Sequence, residues 1–416
     1  MLTKYFKSSQ TIERYRSDSV GLHLDDFIVW LEAYGYSRTS IRRHVREVIH
    51  FAVWAKITGL SVHILDRNAL MQFHNHLTSE QLLRYVNGGY QPVYQSACVF
   101  IRFLETTGKS SSGASCVTTP SATTILWEKF SEWMRSQRGT MDSTLTNYHL
   151  PIVALLQALG TSPSTFTAKE LRDFLLQQAK NSSVTKAKNI ATAVRMFLRF
   201  LIAQDKCAIG LEHAIPTVAH WKLASIPKYL PAKEIECLID SCDQTLAIGA
   251  RDRAILLLIA RLGLRASDIS GLRFSNLDWH NGTLIVSGKN RRETRLPLPQ
   301  DVGNAILHYL KQGRPHISSD HVFITTTAPL VPISRVVVGR AVRRALLRTN
   351  IVAPTQGAHL LRHSAATSLL CDGVSLPAIS ALLRHASIDT TRVYAKVDVG
   401  LLNEIAISWP EEASSC

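Results

Sequence analysis

Apolar residues recur at the spacing of an α-helix along most of the first 210 residues. Leu24, Phe27, Ile28 and Leu31, for example, stand at positions i, i+3, i+4 and i+7, which places all four on one face of a helix. The pattern predicts small helical bundles in which each helix buries one apolar face.

Two stretches interrupt this pattern and mark expected domain boundaries. Residues 109–124 form a Ser/Thr/Gly-rich linker, and residues 215–231 contain three prolines, which favour an extended connector. They divide the chain into a first helical module at 1–110, a second helical module at 120–210 and a third domain at 228–416.

The two helical modules share a sequence pattern that indicates an internal repeat. Phe27 and Trp30 of the first module have counterparts with the same spacing in the second, Phe130 and Trp133. Further segments match in the same order: 37–41 with 141–145, 69–73 with 170–174, and 102–104 with 199–201. We expect four or five helices in each module and a structural duplication, although unrelated helical bundles also share such patterns.

The third domain mixes helical and strand periodicities. An apolar run at 254–260 predicts a buried helix, and two strands predicted at 282–286 and 294–298 flank a basic turn at 289–292. Further helices are predicted at 302–310, 336–347, 365–370 and 376–383. The whole chain is therefore expected to be mainly α-helical, with a small β-hairpin near the start of the third domain.

The charge of the chain favours a nucleic acid as its partner. Lys and Arg number 47 against 32 Asp and Glu, which gives a net charge of +15 and a pI near 9.6. A surplus of this size suits a polyanion. No apolar run of about 18 residues is present, so no membrane span is expected, and the N-terminus lacks the apolar core of a signal peptide. We therefore expect a cytoplasmic protein.

The cysteines argue against a metal site and against a disulfide framework. There are seven, they are scattered, and none is spaced as C-x-x-C. The chain also lacks the glycine-rich G-x-x-x-x-G-K-[ST] loop of nucleotide-dependent enzymes. No metal and no nucleotide cofactor is therefore predicted.

Basic side chains cluster on some of the predicted helices and in the basic turn. A run of this kind is commonly a solvated helix face, and its alternative role is contact with DNA phosphates. The candidates for DNA contact are Arg38, Arg42, Arg43, Lys186, Lys188, Arg291 and Arg292. His44 and Arg46 belong to the same run as the first three.

Six side chains in the third domain together suit a reaction at a phosphodiester: Arg265, Lys289, His359, Arg362, His385 and Tyr394. Arginine pairs bidentately with non-bridging phosphate oxygens, imidazoles donate further hydrogen bonds, and a lysine on a mobile turn can protonate a departing oxygen. A phenol can be the nucleophile if a cationic setting or a base offsets its ordinary pKa of about 10. Each of these residue types more often has a structural role, so only the six residues together indicate this chemistry.

The order and surroundings of these six residues resemble the catalytic domain of tyrosine recombinases, the phage integrase and Xer-like group. The resemblance spans about residues 226–397, with a first arginine box at 262–268 and a second at 359–367. Lys289 follows Arg265 by 24 residues, His385 follows Arg362 by 23, and Tyr394 follows His385 by nine. Two departures are small: Asp268 stands where glutamate is common, and Arg384 where glycine is common.

The resemblance implies a role for each of the six residues. Tyr394 would form a 3′-phosphotyrosyl link and release a 5′-hydroxyl, and Lys289 would protonate the leaving oxygen. Arg265, His359, Arg362 and His385 would activate and hold the phosphate. The resemblance also implies a Holliday junction, double-stranded DNA as partner, no cofactor, and a tetramer of this chain or of related recombinases.

The family usually carries one helical, SAM-like core-binding domain that clamps DNA, and the second helical module is similar to it. The first helical module would then be an additional DNA-binding module, either an arm-type domain or a duplicated clamp. The segment 397–410 resembles the tails of recombinases encoded by transposon-like elements. We therefore expect an integrase or transposase of a mobile element. The alternatives are a chromosome-dimer or plasmid-multimer resolution recombinase, and a non-catalytic DNA-binding accessory subunit of the same fold.

Overall fold

The structure of the protein, a computed structural model, describes these residues: 1–17, 20–78, 91–109, 122–180, 182–217, 227–287, 293–384, 387 and 390–397. The chain folds into two compact units, Ser112–Ala224 and the combination of Met1–Ser111 with Ser225–Cys416. Each of the three expected regions has an apolar core of its own. The boundaries between three domains stay a prediction.

The first helical module has six helices in its described residues: α1 (Leu2–Tyr5), α2 (Ser9–Arg16), α3 (Leu24–Ala33), α4 (Arg38–Ile57), α5 (Arg67–Thr78) and α6 (Gln91–Thr106). Helix α4 begins after Ser37, whose hydroxyl caps the helix by accepting a hydrogen bond from the Ser40 amide at 3.2 Å. Aromatic rings fill the contact between α3 and α6. Phe27 meets Phe100 edge-on with ring centroids 5.1 Å apart, and Trp30 meets Phe103 at 6.1 Å.

The second helical module has four helices in its described residues: α7 (Ala122–Arg138), α8 (Asp142–Leu159), α9 (Ala168–Lys180) and α10 (Val184–Ile202). Phe130 meets Phe197 edge-on at 5.4 Å, and Trp133 meets Phe200 at 5.8 Å. In the second module, Phe130 and Trp133 of α7 thus pack against Phe197 and Phe200 of α10. In the first module, Phe27 and Trp30 of α3 pack in the same way against Phe100 and Phe103 of α6. These shared contacts support the predicted repeat.

The third domain is helical around one small sheet, and the predicted fold class is confirmed. Its helices are α11 (Ala232–Asp240), α12 (Ala247–Leu262), α13 (Ala266–Ser270), α14 (Gln300–His308), α15 (Arg335–Thr349), α16 (Ala358–Cys371) and α17 (Leu376–Leu383), and a 3₁₀ helix covers Arg392–Val397. The strands are β1 (Leu277–Asp278), β2 (Thr283–Ser287) and β3 (Glu293–Pro297). They form an antiparallel sheet in the order β1-β2-β3.

The predicted hairpin is confirmed as β2 and β3, which pair from Thr283 with Pro297 to Ser287 with Glu293. The two-residue strand β1 was not predicted, because a segment this short carries no periodicity. Helix α16 begins seven residues before its predicted start. This earlier start places both His359 and Arg362 on one helix.

A main-chain contact joins the first module to the third domain within their shared unit. The Leu330 amide donates to the Tyr34 carbonyl at 2.9 Å. Gly35 has a left-handed φ of +76°, and a Cβ there would lie 2.4 Å from a Leu330 methyl group. The contact therefore needs glycine at position 35 both for its backbone angle and for the missing side chain.

His44 lies inside the first module, although it was grouped with the basic surface residues. It is 4% exposed, on the same face of α4 as Ile41, Val45 and Val48. Its Nδ1 lies 2.9 Å from the Ser96 hydroxyl on α6. Burial, and then the charge of Arg43, lowers the pKa of His44 to about 4. His44 is therefore uncharged at neutral pH and is not part of a basic surface.

Acid is expected to destabilise the first module through His44. The unfolded histidine takes up a proton near its ordinary pKa of 6.5, whereas the folded one does so only near 4. The free energy of unfolding contributed by this group is complete above pH 6.5 and falls as the pH drops to 4, by about 3 kcal/mol in total. Hydrogen exchange of α4 amides in the full chain, corrected for the intrinsic rate, measures this loss.

The matched variant is His44→Gln, which keeps a neutral hydrogen-bonding group. Its α4 should lose less protection between pH 6.5 and 4 than that of the wild type. Equal losses in the two proteins would contradict the assignment to His44.

Candidate active site

Gly263 positions the first arginine of the site. It ends α12 with a left-handed φ of +57°, and a Cβ there would lie 2.5 Å from a Leu383 methyl group. The chain can therefore turn sharply against the end of α17 and begin α13 after Arg265. The Arg265 amide donates to the Asp268 carboxylate at 2.9 Å, which caps this short helix.

The guanidinium of Arg265 reaches the end of α17. Its Nη2 donates to the Arg384 carbonyl at 2.9 Å. Burial, opposed by Asp268 and reinforced by Arg384, lowers the pKa of Arg265. The first arginine box is thus held against the segment that leads to His385.

Arg362 on α16 is the most deeply buried cation of the site, with 5% exposure. Its Nη1 donates to the Gly263 carbonyl and its Nη2 donates to the Leu383 carbonyl. Burial, followed by the charges of Arg265 and Arg384, lowers the pKa of Arg362 to about 10. The group therefore remains protonated at neutral pH, and it connects the ends of α12 and α17.

The two departures from the family pattern contact each other. Arg384 adopts a left-handed φ of +54° after α17, and its side chain pairs with Asp268 while both are nearly buried. The Asp268 carboxylate therefore binds both the Arg265 amide and the Arg384 guanidinium. The Nε and Nη1 atoms of Arg384 are buried and have no hydrogen-bond partner among the described residues. In the sequence, Arg384 stands out only as a charged residue where glycine is common, and its contact with Asp268 was not predicted.

His359 lies one helical turn before Arg362 on α16, and its side chain is exposed. Desolvation by its surroundings, followed by the charges of Arg362 and Arg265, lowers the pKa of His359. At neutral pH it is a neutral imidazole that can donate one hydrogen bond at the surface.

Tyr394 is buried, with 1% exposure, in the 3₁₀ helix Arg392–Val397. Its hydroxyl lies 2.7 Å from Nδ1 of His363, which follows Arg362 on α16. Burial raises the pKa of Tyr394 to about 12, and the charge of Arg362 acts in the opposite direction. His363 was not predicted as a site residue, and its only sequence signal was its place in the second arginine box.

Lys289 and His385 lie outside the described residues, as do Arg291 and Arg292 of the basic turn. The structure brings together the other four predicted site residues: Arg265, His359, Arg362 and Tyr394. It adds Asp268, His363 and Arg384 to them. The roles of the six predicted residues stay a prediction.

The remaining candidates for DNA contact lie on helix surfaces. Arg38 donates to the Lys4 carbonyl at 3.0 Å and lies over the Tyr5 ring, while Arg42 lies over the Phe6 ring. Their guanidinium groups are thus partly engaged within the first module. Arg43 on α4, and Lys186 and Lys188 on α10, are exposed.

The chemistry of this arrangement is that of an anion site. Three guanidinium groups, those of Arg265, Arg362 and Arg384, lie close enough to disfavour one another's charge. Only one carboxylate, Asp268, pairs with them among the described residues. A bound phosphate would relieve this repulsion beside the phenol of Tyr394.

In the described part of the chain, no three His, Cys, Asp or Glu side chains are grouped so that they could hold a metal ion. The same residues include no helix with the length and apolar content needed to cross a membrane.

Known proteins resemble this chain over its whole length and over its last domain. The sequence pattern of the phage integrase family matches residues 228–400. The putative integrase/recombinase y4rA of Sinorhizobium fredii is 31% identical over 421 residues, which cover 99% of this chain and 100% of that protein. The tyrosine recombinase XerD of Halalkalibacterium halodurans is 28% identical over 284 residues, which cover 65% of this chain and 92% of that protein.

A solved structure shares the fold. The XerH site-specific recombinase, in a post-cleavage complex with a palindromic difH substrate, superposes with a TM-score of 0.56 at 21% identity. The similarity covers 74% of this chain and 94% of XerH. The site geometry, the family match and the full-length relative agree: the protein belongs to the phage integrase family and is a tyrosine recombinase, an enzyme that breaks and rejoins DNA at specific sites.

Proposed function

We propose that the cluster around Arg362 is the catalytic centre and that Tyr394 attacks the scissile phosphate. The observation that carries this proposal is the meeting of Arg265 and Arg362 on the carbonyls of Leu383 and Arg384, beside the buried phenol. This arrangement supports a phosphate held by two guanidinium groups while the phenol attacks phosphorus.

The remaining roles follow the family pattern. His359 and His385 donate hydrogen bonds to the phosphate, and Lys289 protonates the departing 5′-oxygen. The 3′-phosphotyrosyl link retains the energy of the broken bond, so resealing requires no nucleotide and no other cofactor. Strand exchange proceeds through a Holliday junction.

The biological role we propose is integration or transposition of a mobile element. A relative that matches the chain from end to end is named as a putative integrase/recombinase, whereas the XerD relative matches 65% of it. The protein acts on double-stranded DNA in the cytoplasm, as a homotetramer or together with related recombinases.

The helical modules clamp DNA through phosphate contacts. The second module acts as the core-binding domain through Lys186 and Lys188, and the first acts as an additional clamp through Arg38, Arg42 and Arg43. Arg291 and Arg292 of the basic turn contact the phosphates near the scissile bond. The positive net charge of +15 supports this binding mode.

Covalent capture tests the catalytic centre. Suicide oligonucleotides with a nick beside the cleavage position, tiled across the ends of the element that carries the gene, should trap wild-type protein as a covalent adduct. Tyr394→Phe should give no adduct, because the attacking oxygen is missing. Tyr229→Phe, which alters an exposed tyrosine, should react like the wild type. The released strand should carry a 5′-hydroxyl that a polynucleotide kinase can label.

Two outcomes would overturn parts of this proposal. If wild-type protein binds these ends without forming an adduct, the accessory-subunit alternative is correct. If it forms adducts on chromosome-dimer resolution sites and none on the element's ends, the resolution alternative is correct.

The Asp268–Arg384 pair is expected to support the phosphate site. Removing one partner of a nearly buried ion pair leaves the other charge unpaired and typically costs about 3–5 kcal/mol. Asp268→Asn should therefore lower the free energy of unfolding and slow adduct formation, because the amide can still cap the helix start at Arg265 but no longer neutralises the Arg384 guanidinium. Asp268→Asn combined with Arg384→Gly should lose less than the sum of the two single variants, since the ion pair is lost only once and the double variant leaves neither charge unpaired.

The matched control is Asp320→Asn, which breaks an exposed pair with Arg273. This change should cost less than about 1 kcal/mol. Additive losses for Asp268 and Arg384, measured by denaturant unfolding and by single-turnover adduct formation, would contradict the coupling.

Salt dependence tests the proposed clamp contacts. Arg43→Gln and Lys188→Gln should each reduce the slope of log Kd against log salt concentration by about 1, because one fewer counterion is released on binding. Lys311→Gln, an exposed lysine of the third domain outside the proposed surface, should leave the slope unchanged. Fluorescence anisotropy on element-end duplexes measures the slopes, and an unchanged slope for Arg43→Gln would remove the first module from the clamp.

A further inference from the structure

In the hydrogen bond between His363 and Tyr394, the burial of the phenol determines which group donates. Tyr394 is 1% exposed, and Nδ1 of His363, at 2.7 Å, is the one hydrogen-bond partner of its hydroxyl that we find among the described residues. A buried hydroxyl group needs an acceptor for its proton. The phenol therefore donates to Nδ1, and the imidazole carries its own proton on Nε2.

His363 is neutral and able to accept a proton. Burial, followed by its neighbours His359 and Arg362, lowers its pKa. Tyr394, in contrast, is held fully protonated by its burial. A phenol in this state is a poor nucleophile, so cleavage requires a group that removes its proton as the attack proceeds.

The other described groups of the site do not supply this step, and His385 donates a hydrogen bond to the phosphate in the proposed function. Arg265 and Arg362 are cations without a free lone pair, and Lys289 acts as the acid in the proposed function. His359 is the next imidazole on α16, with its ring centroid 6.1 Å from that of His363, and it lies at the surface. Among the described residues, the imidazole of His363 is the one that touches the reacting oxygen.

Hydrogen bonds made by the residues on both sides of His363 hold this turn of α16 in place. His363 lies between Arg362, whose guanidinium binds two carbonyls, and Ser364 on the same helix. The Ser364 hydroxyl accepts from the Leu230 amide at 2.8 Å and donates to the Leu360 carbonyl at 3.0 Å. One turn of α16 therefore fixes a phosphate ligand and the partner of the nucleophile relative to each other.

We propose that His363 is the general base of strand cleavage. Its Nδ1 accepts the phenol proton as the bond from Tyr394 Oη to phosphorus forms and the bond from phosphorus to the 5′-oxygen breaks. The leaving oxygen takes its proton from the separate acid. On rejoining, the 5′-hydroxyl attacks phosphorus and the imidazolium returns its proton to the departing phenolate. This inference rests on the proposed function of Tyr394.

The test separates the base from the acid and from a purely structural role. Single-turnover cleavage is measured on two suicide substrates, one with an ordinary phosphodiester and one with sulfur at the 5′-bridging position, whose thiolate leaves without a proton. His363→Asn keeps an acceptor near the position of Nδ1 and cannot take the proton. It should cleave both substrates about 10²-fold or more slowly than the wild type, with unchanged DNA affinity. Lys289→Ala should be slow on the ordinary substrate and recover on the sulfur substrate.

A second variant gives a readout that a structural role would not move. His363→Ala leaves a cavity beside the phenol, and added imidazole should restore part of its cleavage rate in proportion to imidazole concentration. His308→Asn, which alters another half-buried histidine of this domain, should behave like the wild type throughout.

The outcomes are distinct. If wild-type protein forms no adduct, the proposed function fails before His363 is tested. If wild-type protein reacts and His363→Asn reacts equally fast, or recovers on the sulfur substrate as Lys289→Ala does, His363 is not the base.

Discussion

The buried guanidinium of Arg362 is the constraint around which the active site is built. Its two hydrogen bonds reach the carbonyls at the ends of two different helices, α12 and α17, and the residue itself lies on a third, α16. The orphan carbonyls of helix ends need donors, and here one cation serves both ends. The elements that carry Arg265 and Arg384 are thereby held together by a group that, in the proposed function, also binds the phosphate.

Burying guanidinium groups, and then placing three of them in one region, costs stability, and the lowered pKa values of Arg265 and Arg362 express that cost. The protein offsets part of it with the single carboxylate of Asp268. In the function that we propose, a bound phosphate supplies the remaining negative charge, so DNA binding completes the site. In the same proposal the phenol, buried beside these charges and protonated, does not react before the phosphate binds.

The sequence predicted the helices and the hairpin well, because periodicity is a local property. The spacing of the arginine boxes, also local, predicted a set of site residues of which four lie together in the described part of the chain. The sequence did not predict the contacts that the two arginine boxes make with Arg384 and Tyr394. Arg384 and Asp268 are separated by 116 residues, and His363 and Tyr394 by 31. Nothing in one sequence specifies which of several nearby polar groups will meet after folding.

His44 shows a different kind of error. It was grouped with the arginines that surround it, yet it stands at helical spacing with Ile41, Val45 and Val48, all of which are buried. The periodicity that predicted α4 also indicated an inward-facing imidazole. That prediction gave more weight to the neighbouring arginines than to the helical position of His44. The burial of His44 shows that the prediction was wrong.

A main-chain hydrogen bond, from the Leu330 amide to the Tyr34 carbonyl, joins the first module to the third domain. Any residue other than proline at position 330 can donate this bond, and every residue at position 34 can accept it. Drift in side chains therefore leaves the joint intact, whereas replacement of Gly35 does not. Relatives that have diverged widely elsewhere can keep the same attachment between these two parts, with one small residue as its condition.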